Sequence, residues 1–558
     1  MQNYYDWSRF WVQRGAKVDL IDGFFHEPYS FVQQKSPLEV AKLEDLVIKI
    51  PCLVLLGEPG MGKTTELKRE KRKIEDQIRA QGDEIIYFDL RDFQDASYLF
   101  NSLQNDPVLK NWLNATNKLH LFFDSLDEAL ININTLSTAL IRELSKLPVE
   151  RLMFRVACRT SEWPSVLEAG LMDLWNADGK SGIVACYGLA PLRQDDVKNS
   201  ATVEGIDSVA FLNDVVSHGA GVFASKPVTL SFLMKIYKDN GTLPKRKSDL
   251  YHQGCWYLCK ETNKERLQSK RAGNLLVDQC LVVAGRIAAV TLLSNHSGVR
   301  TDFDINDVYD GFLLKEEFVG GVEIAKGQKF NVTISEIAET LNTGLLSIRG
   351  AGRLGWAHLT YAEYLAAWYL LEHKLDIYRI LNLIFDSSSV VPGVIPQLGG
   401  LAAWLASLSP AIFQEMAKTD PKALLGSDLA GYKVEDREYL IGALLHQFDT
   451  GQIHNFDWGN RQILEKLDHP ALGEQLRPYI TDISRKFEAR HFAIELAELC
   501  EVRALQDNLV GVALNSAEHI TLRVDAAYAV VSICDIATRA KLKPLIYADT
   551  DPNDELKG

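Results

Sequence analysis

Cysteine is scarce in this chain, with eight in 558 residues and no dense or regular spacing. That argues against a disulfide framework and for thiols kept reduced. Cys255 and Cys259 stand one helical turn apart, but a zinc site needs two further ligands nearby and none stands out. Long apolar runs are missing as well. The most apolar stretch, 390–413, is interrupted by Pro392, Gly393, Pro396, Gly399 and Gly400, whereas a bilayer span needs about 20 uninterrupted apolar residues. The N-terminus, MQNYYDWSRFW, lacks the basic-then-apolar order of a secretion signal. No membrane association and a cytoplasmic location are therefore expected. Basic residues are outnumbered too: 60 Lys and Arg face 74 Asp and Glu, for a net charge of −14. Such a surface repels phosphate backbones, which speaks against non-specific nucleic-acid binding.

What is present is a large apolar fraction, 47% of the residues. At roughly 150 residues per domain, the length predicts three or four domains with ample core. Apolar runs at 52–57, 84–90, 119–124, 151–158 and 182–188 alternate with amphipathic stretches such as 64–80 and 133–147. Most of the runs are apolar on both faces, as parallel strands are when helices cover both sides of a sheet. The series predicts a doubly wound α/β sheet. After about Pro191 helical periodicity takes over, first at 210–216 and 227–237, with a strand-like remnant at 330–334. Beyond about Leu371 the pattern reads as all helix.

The last part repeats itself. Arg490, Ala493, Ile494, Ala497 and Cys500 recur 33 residues later as Arg523, Ala526, Ala527, Val530 and Ile533, and Leu509, Val512 and Ala513 recur as Leu542, Leu545 and Ile546. Small and apolar residues at that period predict stacked helix pairs of an α-solenoid. The same period would open another helix at the final DTDPNDELKG, so a longer protein is expected.

The chemistry lies at Gly57-Glu58-Pro59-Gly60-Met61-Gly62-Lys63-Thr64, which matches GxxxxGK[ST] directly after an apolar strand and before a helix. Glycines at 57, 60 and 62 let the backbone wrap an anion, so that N–H groups and the helix dipole converge on phosphates. Lys63 is expected to reach the β- and γ-phosphates, Thr64 to ligate Mg²⁺ and Thr65 to contact the α-phosphate. A neighbouring strand supplies acids in LFFDSLDEA. Magnesium held by a triphosphate keeps several waters and takes few protein oxygens, so Asp124 alone can serve it. Asp127 and Glu128 are left to orient or deprotonate the attacking water, with Glu128 favoured. No LSGGQ-like transporter signature and no NKxD guanine reader occurs, which favours adenine by elimination.

GEPGMGKTT followed by LFFDSLDEA resembles the NACHT group of signal-transduction ATPases with numerous domains. Three downstream segments add to the resemblance, which spans roughly 45–375. CRTSEWP looks like the family's sensor segment, which implies that Arg159 watches the γ-phosphate. SKPVTLSFLM is similar to the helical-domain motif whose proline packs near adenine, implying Pro227. GWAHLTYAEYLAAWYL resembles the winged-helix ending in which a histidine holds the β-phosphate of ADP, implying His358; Glu363 and Tyr364 in that motif are expected to be structural. With it the chain divides into an N-terminal segment at 1–45, a nucleotide-binding domain at 46–195, a helical domain at 196–245 and a winged-helix-type domain at 246–372; the helical repeats at 373–558, read from their period, fit the family only in general architecture. The resemblance implies a slow ATPase switch of bacterial antiviral defence, resting with ADP and self-oligomerising with ATP on a trigger, with a phage protein as the candidate. A constitutive nucleotide-dependent scaffold and an AAA-type motor are the alternatives. No nuclease, protease or death-fold signature is visible in the first 45 residues.

Overall fold

The computed structural model describes residues 5, 7, 9–14, 16, 20–26, 39–58, 61–93, 95–133, 135–159, 162–175, 184–260, 275–301, 311–350, 352–386, 393–453 and 462–547. The chain divides into two compact units, Met1–Tyr369 and Leu370–Gly558.

The first unit is organised by a seven-stranded sheet. Its strands are β1 (Trp11–Gln13), β4 (Val40–Ala41), β5 (Cys52–Gly57), β6 (Glu84–Asp89), β7 (Leu119–Asp124), β8 (Leu152–Arg159) and β9 (Val184–Leu189), and a small hairpin, β2 (Leu20–Ile21) and β3 (Phe24–Phe25), stands apart. The order is β4-β1-β9-β5-β8-β7-β6. From β9 to β6 all neighbours are parallel, while β1 runs antiparallel to both β9 and β4.

The five expected runs are the five parallel strands, with ends moved by at most a residue; 182 and 183 of the last run lie outside the described residues. Both faces of this sheet are buried, which is why the runs lack alternation. Leu53, Leu55, Phe122 and Ala157 pack on one face with Leu43, Leu46 and Val47 of α1 (Leu43–Lys49) and Leu67, Ile74 and Ile78 of α2 (Lys63–Ala80). Val54, Leu56, Leu121, Phe123 and Val156 pack on the other face. There they meet α3 (Ala96–Asn105), α4 (Pro107–Leu113), α5 (Leu126–Asn132), α6 (Leu136–Leu144) and α7 (Ser165–Trp175). The helix expected at 133–147 is the shorter α6: Ile133 instead closes α5 as its C-cap, and Thr135 precedes the new helix.

Helices α8 (Gln194–Val203), α9 (Ser208–Ser217), α10 (Gly221–Ala224), α11 (Pro227–Asn240) and α12 (Lys247–Cys259) follow. A second sheet, of order β11-β10-β15-β14, is built from β10 (Gly298–Arg300), β11 (Phe312–Leu314), β14 (Leu346–Gly350) and β15 (Arg353–Trp356). The strand expected at 330–334 is displaced. There β12 (Val322–Ala325) pairs with β13 (Gln328–Asn331) as a hairpin, and the Thr333 hydroxyl accepts from the Ser335 N–H to start a helix at Ile334. A side-chain acceptor at that point favours helix over further strand.

Among its described residues the second unit is helical apart from one two-stranded piece, Phe385–Asp386 with Gly393–Val394, which corrects the all-helix reading beyond Leu371. Gly393 disfavours helix there and Pro396 cannot donate into one. The 33-residue recurrence has a physical counterpart. Helix Leu472–Thr481 precedes Phe487–Leu499 as Gln506–Leu514 precedes Ile520–Ile533. In each pair a buried arginine bonds a carbonyl ten residues back: Arg490 Nη2 to Ile480 O at 3.1 Å, and Arg523 Nε to Ala513 O at 3.2 Å.

Among the described residues no helix is long and apolar enough to cross a membrane, and no group of three or more His, Cys, Asp or Glu is placed to hold a metal. No disulfide joins any of the eight cysteines, all of which lie among the described residues.

Candidate functional site

In a parallel sheet the loops at the carboxyl ends of the strands form the natural crevice. Here the candidate residues gather at the carboxyl ends of β5, β8 and β7, which are adjacent strands. Gly57 ends β5 and stands opposite Arg159, the last residue of β8; Asp124 ends β7.

The loop turns into α2 through Gly62, the helix N-cap, whose φ of 85° lies in the left-handed region that glycine enters without steric penalty. Lys63 Nζ donates to Cys158 O of β8 at 2.5 Å and approaches Gly57 O at 3.5 Å, so the ammonium lies over the strand ends. Met61 is buried and Thr65 is exposed. Pro59, Gly60 and the side chains of Thr64 and Glu128 lie outside the described residues.

Asp124 is 1% exposed. Tyr87 of β6 donates its hydroxyl to Asp124 Oδ2 at 2.9 Å, and Oδ1 is buried with no hydrogen-bond partner among the described residues. Burial pushes this carboxyl up, and the Tyr87 hydroxyl and the Lys63 ammonium pull it back down; Asp89, opposite Asp124 in the ladder, adds to the rise. A buried, unpaired carboxylate oxygen is costly unless a cation meets it. The donor fits the single carboxylate that a nucleotide-bound Mg²⁺ takes, directly or through water. The sequence reading missed Tyr87 and Asp89; an acid closing the strand 84–89 was the available signal.

Ser125 follows in the left-handed region, with φ of 61°, a conformation that costs a non-glycine residue about 1 kcal/mol. The turn launches α5 and aims Asp127 at β8. Asp127 Oδ1 accepts the Arg159 N–H at 3.1 Å and Oδ2 pairs with Arg159 Nε at 3.0 Å, so both carboxylate oxygens hold the arginine. Asp127 and Arg159 are 3% and 8% exposed.

Residues beyond the large sheet reach the same place. A Cβ on Gly62 would lie 3.8 Å from Pro227 Cγ, which puts the first residue of α11 against the phosphate loop. The neighbouring Lys226 is buried, donates from Nζ to Gly344 O at 2.5 Å, and lies 5.7 Å from the Tyr361 ring centre. Loss of water pushes the loop residue Glu58 up, opposed by the positive charges of Lys226, Arg349 and Lys63; burial pushes Lys226 down, opposed by Glu58. A second tie runs from Asn342 Nδ2 to the carboxylate of Glu162, three residues past Arg159. The turn at 342–344 is thereby held from two sides.

His358 precedes the helix Leu359–Glu372, and its Nδ1 lies 2.8 Å from Thr360 Oγ1 and accepts from Thr360 N at 3.3 Å. Burial first, then the charges of Lys226 and Lys247, push it down to about 4, so it is neutral near pH 7. It shares Lys226 as a neighbour with Glu58. Tyr364 is buried and its hydroxyl lies 3.1 Å from His252 Nδ1; Tyr361 donates to Val222 O at 2.6 Å. Burial raises the Glu363 carboxyl, which Lys247 partly offsets.

No family model and no curated protein matches the chain. Among solved structures, the Walker-type ATPase PABY2304 of Pyrococcus abyssi is similar at 12% identity and a TM-score of 0.31, over 58% of this chain and 93% of that one.

Proposed function

We propose that this chain is an adenine-nucleotide switch of the NACHT type, resting with ADP and closed by the segments that follow the large sheet. The observation that carries the proposal is the gathering, at three adjacent strand ends, of Lys63, a buried Asp124 with one unpaired oxygen, and Arg159 gripped by Asp127. The contact of Pro227 with Gly62 and the two ties on the 342–344 turn support the closed arrangement.

In this reading the backbone of the loop and Lys63 bind the phosphates, while Thr64 and Asp124 hold Mg²⁺, whose charge would neutralise the phosphate oxygens. Arg159, oriented by Asp127, reads the terminal phosphate. With both oxygens of Asp127 engaged, Glu128 is the base for slow hydrolysis. Pro227 packs beside adenine and the neutral His358 donates toward the β-phosphate of ADP. The segment at 246–372 acts as a winged-helix lid and the helical repeats as the sensor of a trigger, a protein, with a phage component as the candidate. Opening, exchange to ATP and self-assembly form a population shift, which demands about 5.5 kcal/mol of differential affinity to move from 1:99 to 99:1.

The test is the nucleotide content of the purified protein together with calorimetry against ADP and Mg²⁺. The unmutated chain should retain ADP and Lys63→Ala should lose it, while His358→Ala should release ADP several-fold faster and assemble without a trigger. Retention of ADP by Lys63→Ala would sink the phosphate-loop reading. Unchanged release from His358→Ala would leave that histidine as a helix cap alone.

A further inference from the structure

Strand β6 carries a residue that the phosphate-loop argument does not use. Tyr87 stands opposite Phe122 in the parallel ladder, two residues short of the Asp89–Asp124 pair. Its ring is fixed from two directions: it stacks on Phe122, with centres 6.1 Å apart and planes 24° apart, and Lys71 Nζ of α2 lies 4.5 Å from its centre. From that anchored ring the hydroxyl donates to Asp124 Oδ2 at 2.9 Å. The other oxygen, Oδ1, is left buried and unpaired among the described residues.

The terminal torsion of an aspartate is broad and roughly two-fold, so an untethered carboxylate would exchange its two oxygens and sample a range of tilts. A donor fixed on one oxygen removes that freedom and leaves the other in a single direction. We propose that Tyr87 is a positioning residue that locks the Asp124 carboxylate so that Oδ1 is the oxygen presented to the magnesium of the bound nucleotide. The inference rests on the reading of Asp124 as the acid that faces the metal. Tyr87 itself touches neither metal nor nucleotide; it acts through Asp124. The architecture accounts for the residue type. Phenylalanine would keep the stack and the contact with Lys71 but offer no donor, and a shorter hydroxyl would not span the distance between strands.

Tyr87→Phe in the full chain tests this. ADP binding is followed by calorimetry while free Mg²⁺ is titrated, and again in EDTA. The hydrogen bond to an ionised group sets the scale of the effect, so the Mg²⁺ concentration for half-maximal enhancement should rise by roughly tenfold. Affinity for ADP in EDTA should stay within about twofold, because the phosphate loop is untouched. A purely structural role would instead weaken binding equally with and without Mg²⁺, and that result overturns the proposal, as does an unchanged Mg²⁺ midpoint. Combining Tyr87→Phe with Asp124→Asn supplies the second check, since the tyrosine change should have no further effect on the Mg²⁺ midpoint once the carboxylate is gone. An additive further loss would also overturn it. If the unmutated chain binds no ADP under either condition, the switch reading falls and this inference with it; if it binds ADP with Mg²⁺ and Tyr87→Phe does not move the midpoint, only this inference falls.

Discussion

The large sheet carries buried polar side chains in two places, and their surroundings differ. Within the sheet, Arg155 of β8 is 1% exposed and gives its guanidinium to backbone: Nη1 to Pro51 O at 2.7 Å and Phe154 O at 2.9 Å, and Nη2 to Val47 O. Nearby on β7, His120 is 1% exposed with Asp83 Oδ2 3.6 Å from Nε2. Through its two Nη atoms Arg155 ties β8 to α1, while its Nε and both ring nitrogens of His120 are buried without a hydrogen-bond partner among the described residues. At the carboxyl ends, by contrast, Asp124 keeps an unpaired oxygen and Ser125 is held in a strained conformation. A cation whose two Nη atoms are taken up by backbone carbonyls is architecture; an acid with an unpaired oxygen at the strand ends, beside a lysine, a second acid and a tight turn, is where a ligand is expected.

That contrast can be broken by measuring stability in chemical denaturation. The largest change is expected from Arg155→Met, which removes the donors to Val47 O, Pro51 O and Phe154 O and should cost about 3 kcal/mol, with ADP affinity retained by the folded fraction. A loss of ADP binding without a loss of stability would reverse the assignment. His120 comes next. Burial, with Arg155 and Lys118, pushes it down to about 3, against about 6.5 in an unfolded chain. The folded state therefore prefers the neutral ring. Its contribution is complete above about pH 6.5 and is lost as pH falls toward 3, because the unfolded chain binds the proton first; at pH 5 this amounts to about 2 kcal/mol. His120→Leu should flatten that slope between pH 7 and pH 5, and an unaltered slope would show that other groups carry the acid sensitivity. The smallest change is expected from Lys63→Ala, under about 1 kcal/mol, since its bonds to two carbonyls lie where water can replace it. A large destabilisation there would make Lys63 a structural residue after all.

The sequence made some of this legible and hid the rest for physical reasons. Runs such as Cys52–Gly57 and Leu119–Asp124 stood out because burial on both faces leaves an unbroken apolar record. The Gly62-Lys63 turn stood out because few residue types satisfy its backbone. Strand β1 was invisible: three residues, Trp11–Gln13, are too few to show a period, and only the bond ladder to β9 reveals that they extend the sheet. Tyr87 was hidden among the apolar residues of its strand, where a tyrosine reads as core until its hydroxyl is seen to reach the next strand. The pairing of Asp127 with Arg159 could not be read either, because it joins residues 32 apart through the geometry of α5 and β8. It engages both oxygens of Asp127, the acid that the sequence reading had already ranked behind Glu128 as the base.

The turn at 342–344, fastened at Asn342 to Glu162 and at Gly344 to Lys226, has a consequence for how the protein would respond to force or heat. When one fastening opens, the other keeps the parted groups within a few ångströms, so their effective concentration stays high and rejoining outruns escape. Release then requires both to fail together, and a weak or passing disturbance is filtered out while a sustained one gets through. A device of this kind behaves as a threshold, quiet under noise and abrupt once it yields.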